Sequence, residues 1–358
     1  MATEMMRAVV CHAPYDYRVE ERPVPEPGPG EVLVKVGAAG ICASDMKCYI
    51  GGHTFWGERG EGGYCDAPVI AGHEFAGRVA ALGEGAAERH GVRLGDHVVA
   101  EQIIPCEECR FCKNGQYWMC EPHIIFGFKR GRAEGGMAEF MIYPAKSRIH
   151  VIDPRISARQ AAYIEPLACA MHAVDRGEIK PGDTVVIGGV GNIGLCMLQA
   201  AKRFNPGQLI ALDTKPYRLE LARQLGADVV INPLEEDAVA RIKALTEGYG
   251  CDVFVEASGN AAVPQMGLQM LRRLGTLVAF SVLAERSTID WNIVGDQKEL
   301  NIHGSHLGPH CYPKTIRAIA DGQIDVERLI SAEYPLAEFP TAMEAARSGD
   351  NLKTLLIP

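Results

Sequence analysis

The chain has 358 residues, 47% hydrophobic and 23% charged, enough for about two domains with substantial cores. That composition excludes an intrinsically disordered chain, which would be apolar-poor and charge-rich. Lys+Arg 36 against Asp+Glu 45 leaves a formal net charge of −9 with no long run of one sign, so the positive footprint that binds nucleic acid is absent.

Met1–His12 carries one arginine and no apolar stretch of signal-peptide length. The most apolar window, Thr184–Ala201, is interrupted by four glycines, Asn192 and Gln199, and reads as strand, turn and helix rather than a membrane span. The expectation is a soluble, cytoplasmic protein with no membrane and no nucleic-acid partner. Twelve cysteines in such a compartment point to metal or thiol chemistry more than to disulfides.

To about Ile152 the chain reads as short β segments broken by Gly and Pro: Arg7–Cys11, Tyr17–Glu20, Glu31–Val36, Gly77–Leu82 and Asp96–Ala100. This predicts a compact β-rich domain. Within it, Cys106, Cys109, Cys112 and Cys120 form C-x2-C-x2-C-x7-C in a polar loop with Glu107, Glu108, Arg110, Lys113 and Asn114. Four thiolates that close together complete a tetrahedral shell with no position left for water, so the loop predicts a structural zinc. Iron–sulfur clusters also take four cysteines, but no haem, flavin or second cluster motif accompanies this one.

From about Pro154 to Leu300 the grammar changes. Apolar runs (Thr184–Ile187, Leu209–Leu212, Val253–Ala257, Thr276–Phe280) alternate with helix-like stretches such as Tyr217–Leu225 and Ala238–Thr246, which predicts βαβ units on a buried parallel sheet. Gly189-Val190-Gly191-Asn192-Ile193-Gly194 lies between a strand and a helix, and Asp213 ends the next strand nineteen residues on. That context is the one a dinucleotide fold requires. Gly189 makes the turn, Gly191 admits the pyrophosphate to backbone N–H groups including those of Asn192 and Ile193, and Gly194 lets helix and strand pack. Asp213 accepts from the adenosine ribose and repels a 2′-phosphate, which favours NAD, although Lys215 and Arg218 lie close in sequence. The tail has helix-like stretches at Tyr312–Ala320 and Glu338–Arg347 and ends in Leu352–Pro358.

Cys42 in Gly40-Ile41-Cys42-Ala43-Ser44-Asp45, His73-Glu74 after Gly72, the four-cysteine loop, Gly95-Asp96-His97-Val98 and the glycine turn occur in that order. With these pieces the chain resembles the zinc-dependent medium-chain dehydrogenases over nearly its full length. The resemblance implies an α/β protein with a GroES-like β-rich catalytic domain (1–154), a Rossmann doubly wound parallel sheet binding NAD (155–300), and a C-terminal segment returning to the catalytic domain (301–358). It also implies two zincs per subunit and a homo-oligomer, dimer or tetramer.

Cys42 and His73 match the family's catalytic ligands. The third ligand of the alcohol-dehydrogenase branch is a cysteine, whereas here Glu165-Pro166-Leu167-Ala168 places a carboxylate, as in the sorbitol-dehydrogenase-like polyol branch. In that branch the glutamate after the histidine, here Glu74, can bind zinc while the later one, here Glu165, holds the zinc-bound water. Physics alone leaves the choice open, because neighbours on an extended strand face opposite ways and His73 and Glu74 share a metal only where the backbone is irregular. Cys169 is a reserve ligand that the surrounding helix-like stretch would bury. Ser44 matches the family hydroxyl that passes the alkoxide's proton toward solvent. Many relatives carry a histidine five residues after the first ligand, where this chain has Lys47, and His53 is the substitute at hand.

The Cys48–Ala67 loop, with His53, Phe55, Trp56 and Tyr64, suits a cap over a small polyhydroxylated substrate. Trp291–Gly308 (Asp296, Lys298, Gly304, Ser305, His306) is similar to dehydrogenases of four-carbon polyols, erythritol or L-threitol, giving L-erythrulose. A longer alditol (sorbitol, xylitol or L-arabinitol) or L-threonine stays open at this point, as does a non-catalytic NAD-binding protein.

Overall fold

The computed structural model describes residues 4–58, 61–283 and 285–358. It divides into two compact units, one of Met1–Glu165 with Tyr312–Pro358, the other of Pro166–Cys311. The chain leaves the first unit and re-enters it eleven residues later than the breaks in sequence grammar at 154 and 300. Helix Ala158–Ala161 still packs on strands of the first unit, and Asn301–Gly304 is still a strand of the second unit's sheet.

The first unit is built on a seven-stranded sheet in the order Ile149–Val151, His97–Ala100, Glu74–Leu82, Val32–Gly40, Lys353–Ile357, Ile330–Pro335, with Phe140–Tyr143 also pairing with Val32–Gly40. Val32–Gly40 is central: it pairs antiparallel with Glu74–Leu82 along one edge, and with Phe140–Tyr143 and then Lys353–Ile357 along the other. Its residues are almost all buried, as a strand covered on both faces demands. The pairing Leu355↔Gly40 brings the end of the chain beside the residues that precede Cys42. A second sheet joins Met5–Ala13 to Asp16–Pro23 and Val69–Ile70. Val34, Phe75, Phe126, Tyr143, Phe339 and Leu356 fill the core between these elements.

The second unit has six parallel strands in the order Val229–Ile231, Gln208–Leu212, Thr184–Gly188, Cys251–Glu256, Leu271–Ala279, Asn301–Gly304. In chain order that is 3-2-1-4-5-6, the doubly wound arrangement whose ligands bind where the strand order reverses, beyond the carboxyl ends of the strands. Here that point lies after Gly188, where the glycine turn begins. Val185–Ile187 and Leu209–Leu212 are buried, and helices Asn192–Lys202, Pro216–Leu225 and Val263–Met270 connect the strands. Among the described residues, no helix is long and apolar enough to cross a membrane.

Candidate metal and cofactor sites

Strand Val32–Gly40 delivers the chain to Cys42, which starts helix Ala43–Tyr49. Asp45, in the first turn, accepts a hydrogen bond from the Cys42 backbone N–H at 2.9 Å and fixes the approach of the thiol. On the neighbouring strand, Gly72 has φ +94°, a left-handed conformation, so His73 and Glu74 enter the sheet from an irregular turn. This break lets adjacent side chains converge. The ligand atoms of Cys42, His73 and Glu74 lie within 4.8 Å of one another.

His73 is 7% exposed and Glu74 1%. His73 Nε2 is 3.2 Å from Ser44 Oγ. Its Nδ1 is buried without a hydrogen bond of normal geometry, although Asp45 Oδ1 lies 3.4 Å away. Burial opposes a charged imidazole, but Asp45 and Cys42 outweigh it and hold His73 well above its usual range. The pocket thus favours positive charge beside sulfur and nitrogen. A half-buried thiol with a buried imidazole and a buried carboxylate around one point suits zinc, which takes S, N and O ligands.

Lys353 is the member of this site with no sequence signal. Its ammonium pairs with Glu74 and donates to the Ile41 carbonyl at 3.3 Å, and both side chains of the pair are 1% exposed. A Cβ at Gly40 would lie 2.7 Å from Lys353 Cε and would strike the Glu74 carboxylate, so any side chain there would displace this pair. Burial alone would push an ammonium down, yet Glu74 and Cys42 keep Lys353 raised. Glu165, 5% exposed, accepts from the Gln102 amide, whose oxygen accepts in turn from the Tyr312 hydroxyl at 2.8 Å. Gln102, Tyr312 and Lys353 belong to no motif, and only folding reveals them; Asp45 lies in the Cys42 motif, but its contact with His73 is seen only in the fold.

The four thiols of Cys106, Cys109, Cys112 and Cys120 also lie within 4.8 Å of one another. Backbone N–H groups of Cys109 and Cys112 point at the sulfurs of Cys106 and Cys109, at 3.2 and 3.5 Å, and that of Cys106 points at Cys120 Sγ at 3.2 Å. The Cys112 N–H, with that of Glu121, holds the Cys109 thiol down at about 6, while burial pushes Cys112 up to about 12. All four cysteines are close enough to close one tetrahedral shell.

In the second unit, Gly189 has φ +98° and a Cβ at Gly194 would sit 1.9 Å from the Gly189 carbonyl oxygen, so neither position accepts a side chain. Gly191 caps helix Asn192–Lys202, and Asn192 and Ile193 form its first turn. Asp213 accepts from the Val190 N–H at 3.0 Å and the Lys215 N–H at 2.9 Å, and Arg218 Nη1 lies 3.7 Å from its carboxylate. Turn, helix N-terminus and acid therefore come together as a phosphate and ribose site requires.

Residues 192–321 match the family described as zinc-binding dehydrogenase, and residues 28–153 match the alcohol dehydrogenase GroES-like domain. The chain is 48% identical to the erythritol/L-threitol dehydrogenase of Mycolicibacterium smegmatis, over 99% of this chain and 98% of that one. The chain belongs to the zinc-binding dehydrogenases. It is also 36% identical to the sorbitol dehydrogenase of Bacillus subtilis, over 99% and 97% of the two chains. A Sinorhizobium meliloti 1021 protein solved bound to NADP superposes with a TM-score of 0.90 at 30% identity, covering 99% of this chain and 100% of that one. The protein is accordingly an oxidoreductase acting on CH–OH groups, with a GroES-like and a Rossmann-type part.

Other expected residues of this dehydrogenase have structural employment. Phe55 stacks on Phe128, which in turn lies 5.5 Å from the His73 ring. The Trp56 indole donates to the Cys48 carbonyl and the Tyr64 hydroxyl to that of His123, so two of the loop's polar tips are used internally. His53 is exposed, and Arg59 and Gly60 of that loop lie outside the described residues. Lys298 donates to the carbonyls of Leu268, Gln269 and Leu271, capping helix Val263–Met270. Cys169 is buried in helix Ile164–Arg176.

Proposed function

We propose that this dehydrogenase oxidises a secondary hydroxyl of a small polyol, erythritol or L-threitol, to L-erythrulose, with NAD as hydride acceptor. The observation that carries the reading is the buried carboxylate of Glu74 beside Cys42 and His73, paired with Lys353, whose ammonium also feels the buried carboxylate of Glu165. The name of the 48% identical relative supports the four-carbon substrate.

Cys42, His73 and Glu74 would hold a catalytic zinc, which supplies a Lewis acid that lowers the pKa of an alcohol. Cys42 and Glu74 each bring one negative charge, so with neutral His73 they neutralise Zn²⁺. Lys353 then offsets the remaining carboxylate of Glu165, so the second glutamate does not leave the site anionic. Glu165, oriented through Gln102 and Tyr312, accepts from the second hydroxyl of a vicinal diol. Ser44 takes the proton of the reacting hydroxyl toward solvent, with Lys47 and His53 the groups nearest in sequence to carry it on. A second zinc, structural, fits the four-cysteine loop.

Asp213, with its two backbone donors, supports NAD over NADP by repelling a 2′-phosphate, although Arg218 beside it softens that preference. The absence of disulfides among the twelve cysteines supports a reducing, cytoplasmic compartment. Self-association as a dimer or tetramer stays part of the reading, checked by light scattering.

The test is a substrate panel of erythritol, L-threitol, sorbitol, xylitol, L-arabinitol and L-threonine, each with NAD and NADP. The highest kcat/KM is expected for a four-carbon polyol with NAD, and L-erythrulose as the product by NMR. A longer alditol or L-threonine exceeding the four-carbon substrates tenfold would overturn the substrate assignment, and a preference for NADP would overturn the cofactor.

A further inference from the structure

A third group of thiols lies in the first unit, outside both sites above. Cys11 belongs to strand Met5–Ala13, Cys48 to the last turn of helix Ala43–Tyr49, and Cys65 to the loop that follows Trp56. Their sulfurs lie within 4.8 Å of one another, the same closeness found for the two ligand sets already described. Three segments separated in sequence thus deliver one sulfur each to one point. Cys11 and Cys48 are 1% and 0% exposed, whereas Cys65 is half-buried and leaves a route in from solvent. The neighbourhood is otherwise aromatic: Tyr17 pairs with Cys11 across the hairpin, and its ring lies 5.3 Å from that of Tyr49 and 5.9 Å from that of Phe339.

We propose that Cys11, Cys48 and Cys65 form a third metal site, which takes a soft closed-shell cation, Zn(II) or Cu(I), on three sulfurs. Metal–sulfur bonds of about 2.3 Å in a tetrahedral shell put sulfurs ~3.8 Å apart, so a small closing motion suffices. Three thiolates select copper(I) or zinc over magnesium, calcium or manganese, which prefer oxygen ligands. The sulfurs already share their protons: hydrogen bonds from the Cys48 and Cys65 thiols hold the Cys11 thiol down at about 4, with Tyr17 adding to them against burial. A cation entering past Cys65 displaces the remaining thiol protons, as thiolate sites do. Cys48 shares its helix with Ser44, and Cys65 N–H donates to the Phe55 carbonyl at 2.8 Å, so the ion would tie the first strand, the helix and the following loop together.

The experiment is a cadmium(II) titration of the purified full chain, followed by thiolate-to-cadmium absorption and by metal analysis after gel filtration, for wild type and Cys65→Ser. Cadmium that replaces zinc at the other two sites does so in both proteins, so the difference isolates this site. Wild type is expected to hold one more equivalent of cadmium than Cys65→Ser. Equal binding by the two folded proteins would overturn the site and leave three packed thiols. Should Cys65→Ser fail to fold, alkylation of wild type followed by peptide mass mapping answers the same question. Cadmium should protect Cys65, and unchanged labelling would overturn the site. Competition of the extra equivalent by Zn(II) against Cu(I) distinguishes the two cations.

Discussion

The two units bury charge in opposite ways. In the first, Asp45, His73, Glu74, His97, Glu101, Lys129, Glu165 and Lys353 all fall in the buried class; in the second, Glu256 is the one buried ionisable carboxylate or base among the described residues. Even Glu256 serves the backbone, accepting from the N–H groups of Ser258, Gly259 and Ser281. The second unit meets its cofactor mainly with glycines and backbone donors, which bind phosphate without needing side-chain charge in the interior. On the proposed function the first unit holds a cation and moves a proton, which accounts for side chains that are costly to desolvate unless paired. Interior charge is thus concentrated in the unit to which the proposed function assigns the chemistry.

That contrast can be broken by substitution. The largest effect is expected at Lys353→Met, which leaves Glu74 without its buried partner and costs ~4 kcal/mol, the range for breaking a buried pair. The melting temperature of metal-depleted protein should fall by ~10 °C, while Lys353→Arg retains most of it; an unchanged midpoint in Lys353→Met would show the pair to be dispensable. Next comes acid. Burial, with Arg78 nearby, lowers His97 to about 4 from an ordinary 6.5. Between those values the unfolded chain takes up a proton that the folded chain refuses. The stabilisation is therefore complete above pH 6.5 and is lost as pH falls toward 4, by up to ~3 kcal/mol. Thermal unfolding of His97→Gln across that window should show a flatter pH dependence than wild type. The smallest effect belongs to the second unit. Asp213→Asn should raise KM for NAD by ~30-fold, about 2 kcal/mol for a lost charged hydrogen-bond acceptor, with kcat unchanged and NADP tolerated better. A fall in kcat without a change in KM would contradict a purely binding role.

Legibility in the sequence follows the same division. The glycine turn and Asp213 span 25 residues and could be read directly, because a strand, a tight turn and a helix are local events. The four-cysteine loop is equally local. Cys42, His73, Glu74 and Glu165 were visible only through a family resemblance, since nothing in their spacing says that the fold brings the first three together or that a helix carries the fourth. Lys353 was invisible: a lone lysine in a C-terminal strand carries no signal until Leu355 is seen to pair with Gly40. The Cys48–Ala67 loop lies between these cases. Its aromatic residues suggest a substrate cap, yet Trp56 and Tyr64 spend their polar tips on backbone carbonyls.

The central claim is that Cys42, His73 and Glu74 hold a metal inside the first unit. Anomalous diffraction recorded just above and just below the zinc absorption edge, on crystals of protein purified without chelator, tests it most directly. The account predicts a strong difference peak within bonding distance of Cys42 Sγ, a His73 ring nitrogen and a Glu74 carboxylate oxygen. A peak in the four-cysteine loop with none between Cys42 and His73, from protein that turns over erythritol in the same preparation, would contradict it.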